Sequence, residues 1–191
     1  MAVRHDSIGS RAATLAVAIG VIWLIFAINL FVFGGRLLAF GILPRAEEGL
    51  RGVVLAPLLH GSVKHLLANT AGILIFGGLA MLRSRSHFWM VTIVGAIASG
   101  IGTWLFGRPA IHVGASGIVF AYFGYLLFTG FFERRIGSLL LSIAVFFVWG
   151  PTIYGILPLE RDISWEGHLF GFIGGMLAAW VLAGRPFRGG I

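Results

Sequence analysis

Between Ala12 and Phe33 the chain runs for 22 residues with only Thr14 and Asn29 as polar side chains. As a helix that run measures about 33 Å, enough to cross a hydrocarbon core about 30 Å thick. It is longer than the roughly 7–15 residues of a signal-peptide apolar region, so it predicts an uncleaved first membrane span. Charge spacing marks five more apolar blocks, at about 58–82, 88–106, 116–132, 136–157 and 165–184. Six spans with short turns nearly exhaust the 191 residues and leave no room for a soluble domain. No internal repeat or low-complexity segment interrupts them. The expected fold is therefore an all-α membrane protein, a compact bundle of six transmembrane helices forming one domain over residues 1–191.

Composition agrees: 58% of residues are apolar and 11% charged, against about 45–50% and about 25% in soluble domains. The absence of cysteine excludes disulfides, zinc ribbons and thiol catalysis. The net charge of +7 rests on 14 basic and 7 acidic residues, which points to orientation by basic loops and not to a nucleic-acid surface. With a cytoplasmic N-terminus, the inner segments carry Arg4, Arg11, Arg83, Arg85, Arg134, Arg135, Arg185 and Arg188 against Asp6 and Glu133. The outer segments carry Arg36, Arg45, Arg51, Arg108 and Arg161 against Glu47, Glu48, Glu160, Asp162 and Glu166. Both termini are thus expected in the cytoplasm, in a multi-pass protein of a cell membrane, expected to be prokaryotic. Lys64 is expected to snorkel to the outer interface.

The segment 34–57 alternates glycines and Pro44 with apolar residues. It is too broken for a span and too apolar for water, so it is expected to lie at the outer interface, packed on the bundle.

Polar residues inside spans are costly and are functional candidates by default. Span two opens with His60, Ser62, Lys64, His65, Asn69 and Thr70, span four with Gly114, Ala115, Ser116 and Gly117, and span six with His168. Counted from the first arginine at the inner end of each span, Ser116, His65 and His168 stand roughly 26–27 Å up and Asn69 roughly 21 Å. Four polar side chains from three helices thus converge on one layer. A serine needs a base to become a nucleophile, and histidine serves near neutral pH. An oxyanion needs preorganised donors, and Asn69, His65 and the Ser116 backbone N–H qualify. Gly114 and Gly117 permit a tight turn and close approach of substrate. Gly171 and Gly175 below His168, with Gly117, Ala121 and Gly124 below Ser116, form small faces that let the two helices meet. Phe120, one turn from Ser116, is placed to stack on the imidazole. The set reads as acyl transfer. No metal ligands cluster by spacing, so neither metal nor cofactor is expected.

His60-x-x-x-x-His65-Leu66-x-x-Asn69, Gly114-Ala115-Ser116-Gly117 and Gly167-His168-x-x-Gly171-x-x-x-Gly175 occur in that order on spans two, four and six. This resembles the rhomboid intramembrane serine proteases in their minimal six-span form, from Ala12 to Gly184. The resemblance implies Ser116 as nucleophile, His168 as base, His65 and Asn69 as oxyanion donors, and His60 as a polar residue near the water-accessible mouth. It also implies that substrates are transmembrane proteins in the lipid bilayer, and that the region from Gly150-Pro151 to Trp165 borders the route by which they enter. Many rhomboids carry Trp-Arg in the first loop; Leu50-Arg51 stands here instead.

Other readings compete. A rhomboid-like pseudoprotease would bind membrane clients without cutting them, yet such members usually lack the serine or the histidine. A transporter would be expected to show intramembrane acids and an inverted repeat, and neither is visible. His112 reads as an interfacial loop histidine, and His5 and His87 as solvated ends. Gly150-Pro151 predicts a kink in span five. All seven acids fall outside the expected spans or at their edges, and Glu166 is expected to face the mouth, away from Ser116. A Ser-His dyad, oriented by Phe120 and glycine packing and lacking a buried acid, is what the sequence predicts.

Overall fold

The structure is a computed structural model that describes residues 7–159 and 163–184. Six helices long and apolar enough to cross a membrane account for most of it. They are α1 (Ile8–Phe31), α2 (Val63–Arg83), α3 (Arg85–Phe106), α4 (Ser116–Glu133), α5 (Ile136–Trp149, a span that runs on to Ile156) and α6 (Trp165–Ala183). His5 and the charges Arg4, Asp6, Glu160, Arg161, Asp162, Arg185 and Arg188 lie outside the described residues.

Short polar residues decide where several helices start. Ser7, Ser62 and Ser84 each accept a bond from a first-turn backbone N–H, of Ser10, His65 and Ser86 respectively, at 3.2 Å. Span two therefore begins at Val63, five residues later than the hydropathy suggested, because His60 to Ser62 form the loop that Ser62 closes. Within α2 the residues Ile73–Gly77 are wound as a π-helix, a local widening that side-chain hydropathy does not reveal. At the far end of the chain, Gly150-Pro151 ends α5, and the span continues as a 3₁₀ segment, Gly150–Ile156.

The tightest packing is between α4 and α6. A Cβ at Gly171 would collide with the Gly117 carbonyl, one at Gly175 with the Ala121 carbonyl, and one at Gly124 with the Phe172 carbonyl. The helices thus meet backbone to backbone, the geometry that small residues allow. α4 is the central helix, with Tyr122, Phe123, Tyr125 and Leu126 almost wholly buried. α3 closes one side and α5 the other, while α1 lies peripherally against α2.

The first loop is folded on the bundle. Its short 3₁₀ and α turns, Arg36–Phe40, Glu47–Arg51, Gly52–Leu55 and Ala56–Leu58, bury Ile42, Ala56 and Leu59. Val53 packs against Gly100 of α3, and Ile42 exchanges backbone bonds of 2.9 Å with His112. Arg45 donates to the Gly107 carbonyl at 2.8 Å, and the Trp104 indole donates to the Ala46 carbonyl at 2.8 Å. At the pair Leu50-Arg51, where the resemblance would place Trp-Arg, Leu50 is exposed and Arg51 lies 4.4 Å over the Phe40 ring.

At the end of the bundle away from this loop, Arg83 grips Glu133 through both carboxylate oxygens at 2.6 and 2.7 Å. It also donates to the Tyr125 hydroxyl at 2.9 Å. His87 is not the solvated end expected of it: its Nδ1 bonds the same hydroxyl at 2.7 Å. Thr129 and Ser138 complete the cluster on Glu133, which ties α2, α3, α4 and the start of α5 together.

Two alanine substitutions separate packing from helix propensity. Gly175→Ala, which has no room, is expected to destabilise the fold by about 1–3 kcal/mol. Gly137→Ala, whose Cβ meets nothing within 4 Å, is expected to stabilise it by up to about 1 kcal/mol. Thermal unfolding of the two variants in detergent micelles checks the opposite signs.

Candidate active site

α4 begins at Ser116 directly after a turn in which Gly114 has φ +115°, a conformation that glycine adopts without strain. The point where a Cβ on Gly114 would stand is 2.5 Å from His65 Nε2 and 3.4 Å from Asn69 Nδ2. Only hydrogen fits there, so the approach to Ser116 opens onto both side chains. As the first residue of α4, Ser116 has a backbone N–H without an intrahelical acceptor.

The contact of α4 with α6 brings Ser116 Oγ to 2.8 Å from His168 Nε2. The other ring nitrogen, Nδ1, lies 2.8 Å from the Gly155 carbonyl oxygen. A carbonyl can only accept, so Nδ1 carries the proton and Nε2 presents a lone pair to the serine hydroxyl. The Phe120 ring stacks on the imidazole, with centroids 4.1 Å apart and planes 10° from parallel. Gly155 in turn presses on Phe120, 2.5 Å separating the ring edge from where a glycine Cβ would stand. The histidine is thus held by a face and a main-chain oxygen. Sequence reasoning placed Phe120 but missed Gly155, whose carbonyl leaves no trace in residue type. Its one signal was the Gly150-Pro151 break, which turns the end of span five into a 3₁₀ segment reaching toward His168.

The His60 side chain is buried beside the exposed residues 61–64. It is 1% exposed, and Asn69 Nδ2 donates to its Nε2 at 2.9 Å. The ring therefore fixes the orientation of the Asn69 amide from behind, and it lies 5.0 Å from the ring of His65. Burial, and secondarily the nearby His65, lowers the His60 pKa from 6.5 to about 4.

Glu166 also departs from expectation. It is 2% exposed, buried in the first turn of α6, where it accepts the Arg108 backbone N–H at 3.0 Å. A carboxylate is favoured at a helix N-terminus, and here it fastens the α3–α4 loop. The Arg108 guanidinium bonds the Ile163 carbonyl, and His112 is buried with its ring bonded to Ser164 Oγ at 2.6 Å and the Arg108 carbonyl at 3.1 Å. His112 is thus a buried cross-link between loops, not an interfacial histidine. The loops that deliver Ser116 and His168 are stitched to one another just outside the dyad.

The depressed pKa of His60 has a definite sign. Between pH 6.5 and about 4 the unfolded chain takes up a proton at this residue that the folded chain refuses, so stability falls as pH is lowered through that window. Melting temperature in detergent, followed from pH 7 to pH 4, is expected to decline less steeply in His60→Gln than in the parent.

The family model of the Rhomboid domain matches residues 47–185. Uncharacterized protein Rv1337 of Mycobacterium tuberculosis is 39% identical over 159 residues, covering 78% of this chain and 66% of that protein. Putative rhomboid protease YdcA of Bacillus subtilis is 30% identical over 139 residues, 69% of this chain and 66% of the relative. Rhomboid protease GluP of the same bacterium is 29% identical over 143 residues, 71% of this chain and 27% of the relative. The chain therefore spans just under two thirds of the length of the first two relatives and about a quarter of the third. With a family model that covers most of its residues and a bundle of six apolar helices, the chain belongs to the rhomboid family.

Proposed function

We propose that this protein is an intramembrane serine endopeptidase that hydrolyses peptide bonds in or near transmembrane segments of other membrane proteins. The observation that carries the reading is the 2.8 Å bond between Ser116 Oγ and His168 Nε2, with Nδ1 committed to Gly155. Ser116 loses its proton to Nε2 as Oγ attacks the peptide carbonyl carbon. The developing oxyanion is met by the Asn69 amide, the His65 ring and the Ser116 N–H. His168 returns the proton to the departing amine, leaving an ester on Ser116. A water then gives a proton to His168 and its oxygen to the ester carbon, and the serine leaves with the proton restored.

The Gly155 carbonyl does for the imidazole part of what a carboxylate does in a triad. It selects the tautomer and fixes the ring, with less stabilisation of the imidazolium. Gly114, Gly117 and Gly171 serve by leaving space, Phe120 by holding the ring and His60 by holding Asn69. We assign the chain to one rhomboid-like domain with both termini in the cytoplasm, on the balance of basic residues in its loops. The bacterial relatives favour a prokaryotic membrane.

A serine-directed fluorophosphonate tests the nucleophile. Labelling is expected in the parent and absent in Ser116→Ala, and equal labelling of both would refute the assignment. Cleavage of a model transmembrane substrate is expected to be lost in Ser116→Ala and His168→Ala, and to fall about 10²-fold in Asn69→Ala.

A further inference from the structure

α1 is held to α2 at two points and stands away from α3. Near its start Arg11 donates to the Leu82 carbonyl at 3.0 Å, and past its middle the Trp23 indole donates to Thr70 at 3.1 Å. The space left between α1, α3 and α4 is a groove of about 660 Å³ open to the side of the bundle. Its walls are apolar, with Val17 and Val21 on one side, Phe88 and Trp89 on the other, and Tyr122 at the back. The hydroxyls that line it are already engaged: Thr14 bonds the Ser10 carbonyl at 2.9 Å, and Thr92 bonds the Phe88 carbonyl at 2.7 Å and the Tyr122 hydroxyl at 2.5 Å. The groove therefore asks nothing polar of an occupant along its length.

Its two ends differ. At the end remote from the dyad it is lined by Arg85, an exposed cation, with Arg11 on α1 at the same level of the bundle. At the other end it is closed by Pro57 and Leu58 of the first loop and by Ala115, the residue before Ser116. Along α1 it runs from Ser10 to Ile22, twelve helical steps or roughly 18 Å. One leaflet of a core about 30 Å thick is about 15 Å deep. A transmembrane helix laid in the groove would need both leaflets and would run into Pro57 and Leu58. A single acyl chain would not.

We propose that this groove is a binding site for an anionic phospholipid of the leaflet remote from the dyad, one acyl chain lying between α1 and α3 and the phosphate at Arg85. Basic side chains at a membrane surface favour anionic headgroups, and the length and the single charged end both fit one lipid.

Native mass spectrometry of the purified full chain, equilibrated with equal amounts of phosphatidylglycerol and phosphatidylcholine of identical acyl chains, tests the site without recourse to proteolysis. The parent is expected to retain phosphatidylglycerol at least threefold over phosphatidylcholine. Arg85→Gln is expected to bring that ratio to about one while still retaining lipid. Ala18→Trp, which fills the groove, is expected to lower retention of both lipids by half or more, whereas Phe147→Trp on the exposed face of α5 is expected to behave like the parent. A ratio of one in the parent, a ratio unmoved by Arg85→Gln, or full retention in Ala18→Trp would overturn the proposal. So would efficient cross-linking of Val17→Cys between two copies in membranes, which would give the groove to a second molecule. Ser116→Ala is expected to retain lipid as the parent does, so failure of the lipid site and failure of the protease reading are separately visible.

Discussion

The backbone-to-backbone contact of α4 with α6 is the constraint on which the rest of this structure depends. Ser116 and His168 are 52 residues apart and sit on different helices, and their hydrogen bond exists only because Gly171 and Gly175 let α6 settle onto the carbonyls of Gly117 and Ala121. In a bilayer no hydrophobic effect drives helices together, so association relies on van der Waals contact at short range. A helix pair with larger side chains at these positions would stand several ångströms further apart, and the dyad would be two isolated polar residues. The geometry of the candidate site and the stability of the bundle are therefore carried by the same few glycines.

Around that contact the polar groups are arranged in two belts. Beside the dyad, Arg108, His112, Ser164 and Glu166 fasten the loops that precede α4 and α6, and His60 steadies Asn69. At the opposite end, Arg83, His87, Tyr125, Thr129, Glu133 and Ser138 fasten four helices. Arg83 is paired with Glu133, one guanidinium nitrogen reaching both carboxylate oxygens, and its further bond to Tyr125 helps the pair offset its lost hydration. Between the belts lies an apolar layer of aromatic side chains from α4 and its neighbours, where position is set by shape.

The number, order and approximate limits of the helices were legible because charge is expensive in hydrocarbon and therefore punctuates the sequence. The meeting of Ser116, His168, His65 and Asn69 was legible because their depths could be counted from a common plane. What escaped was whatever depends on groups that carry no residue signature, or on residues near span ends. The Gly155 carbonyl belongs to the first kind, since every residue has one. Glu166, His60 and His87 belong to the second: each lies near a helix end, where hydropathy alone reads solvent, yet each is covered by a loop or a neighbouring helix. The π-wound stretch of α2 and the gap beside α1 follow from tertiary packing and have no local pattern at all.

That His168 is oriented by a peptide oxygen has a genetic corollary. A carboxylate partner can be deleted by one codon change, and its loss would single it out. A main-chain partner survives substitution of its own side chain, so scanning mutagenesis would pass over the group that sets the histidine tautomer. At Gly155 any added side chain first meets the ring of Phe120, and a defect there would be read as crowding of an aromatic residue. The most direct orienting contact in this site is therefore one that inventories of essential side chains are built to overlook.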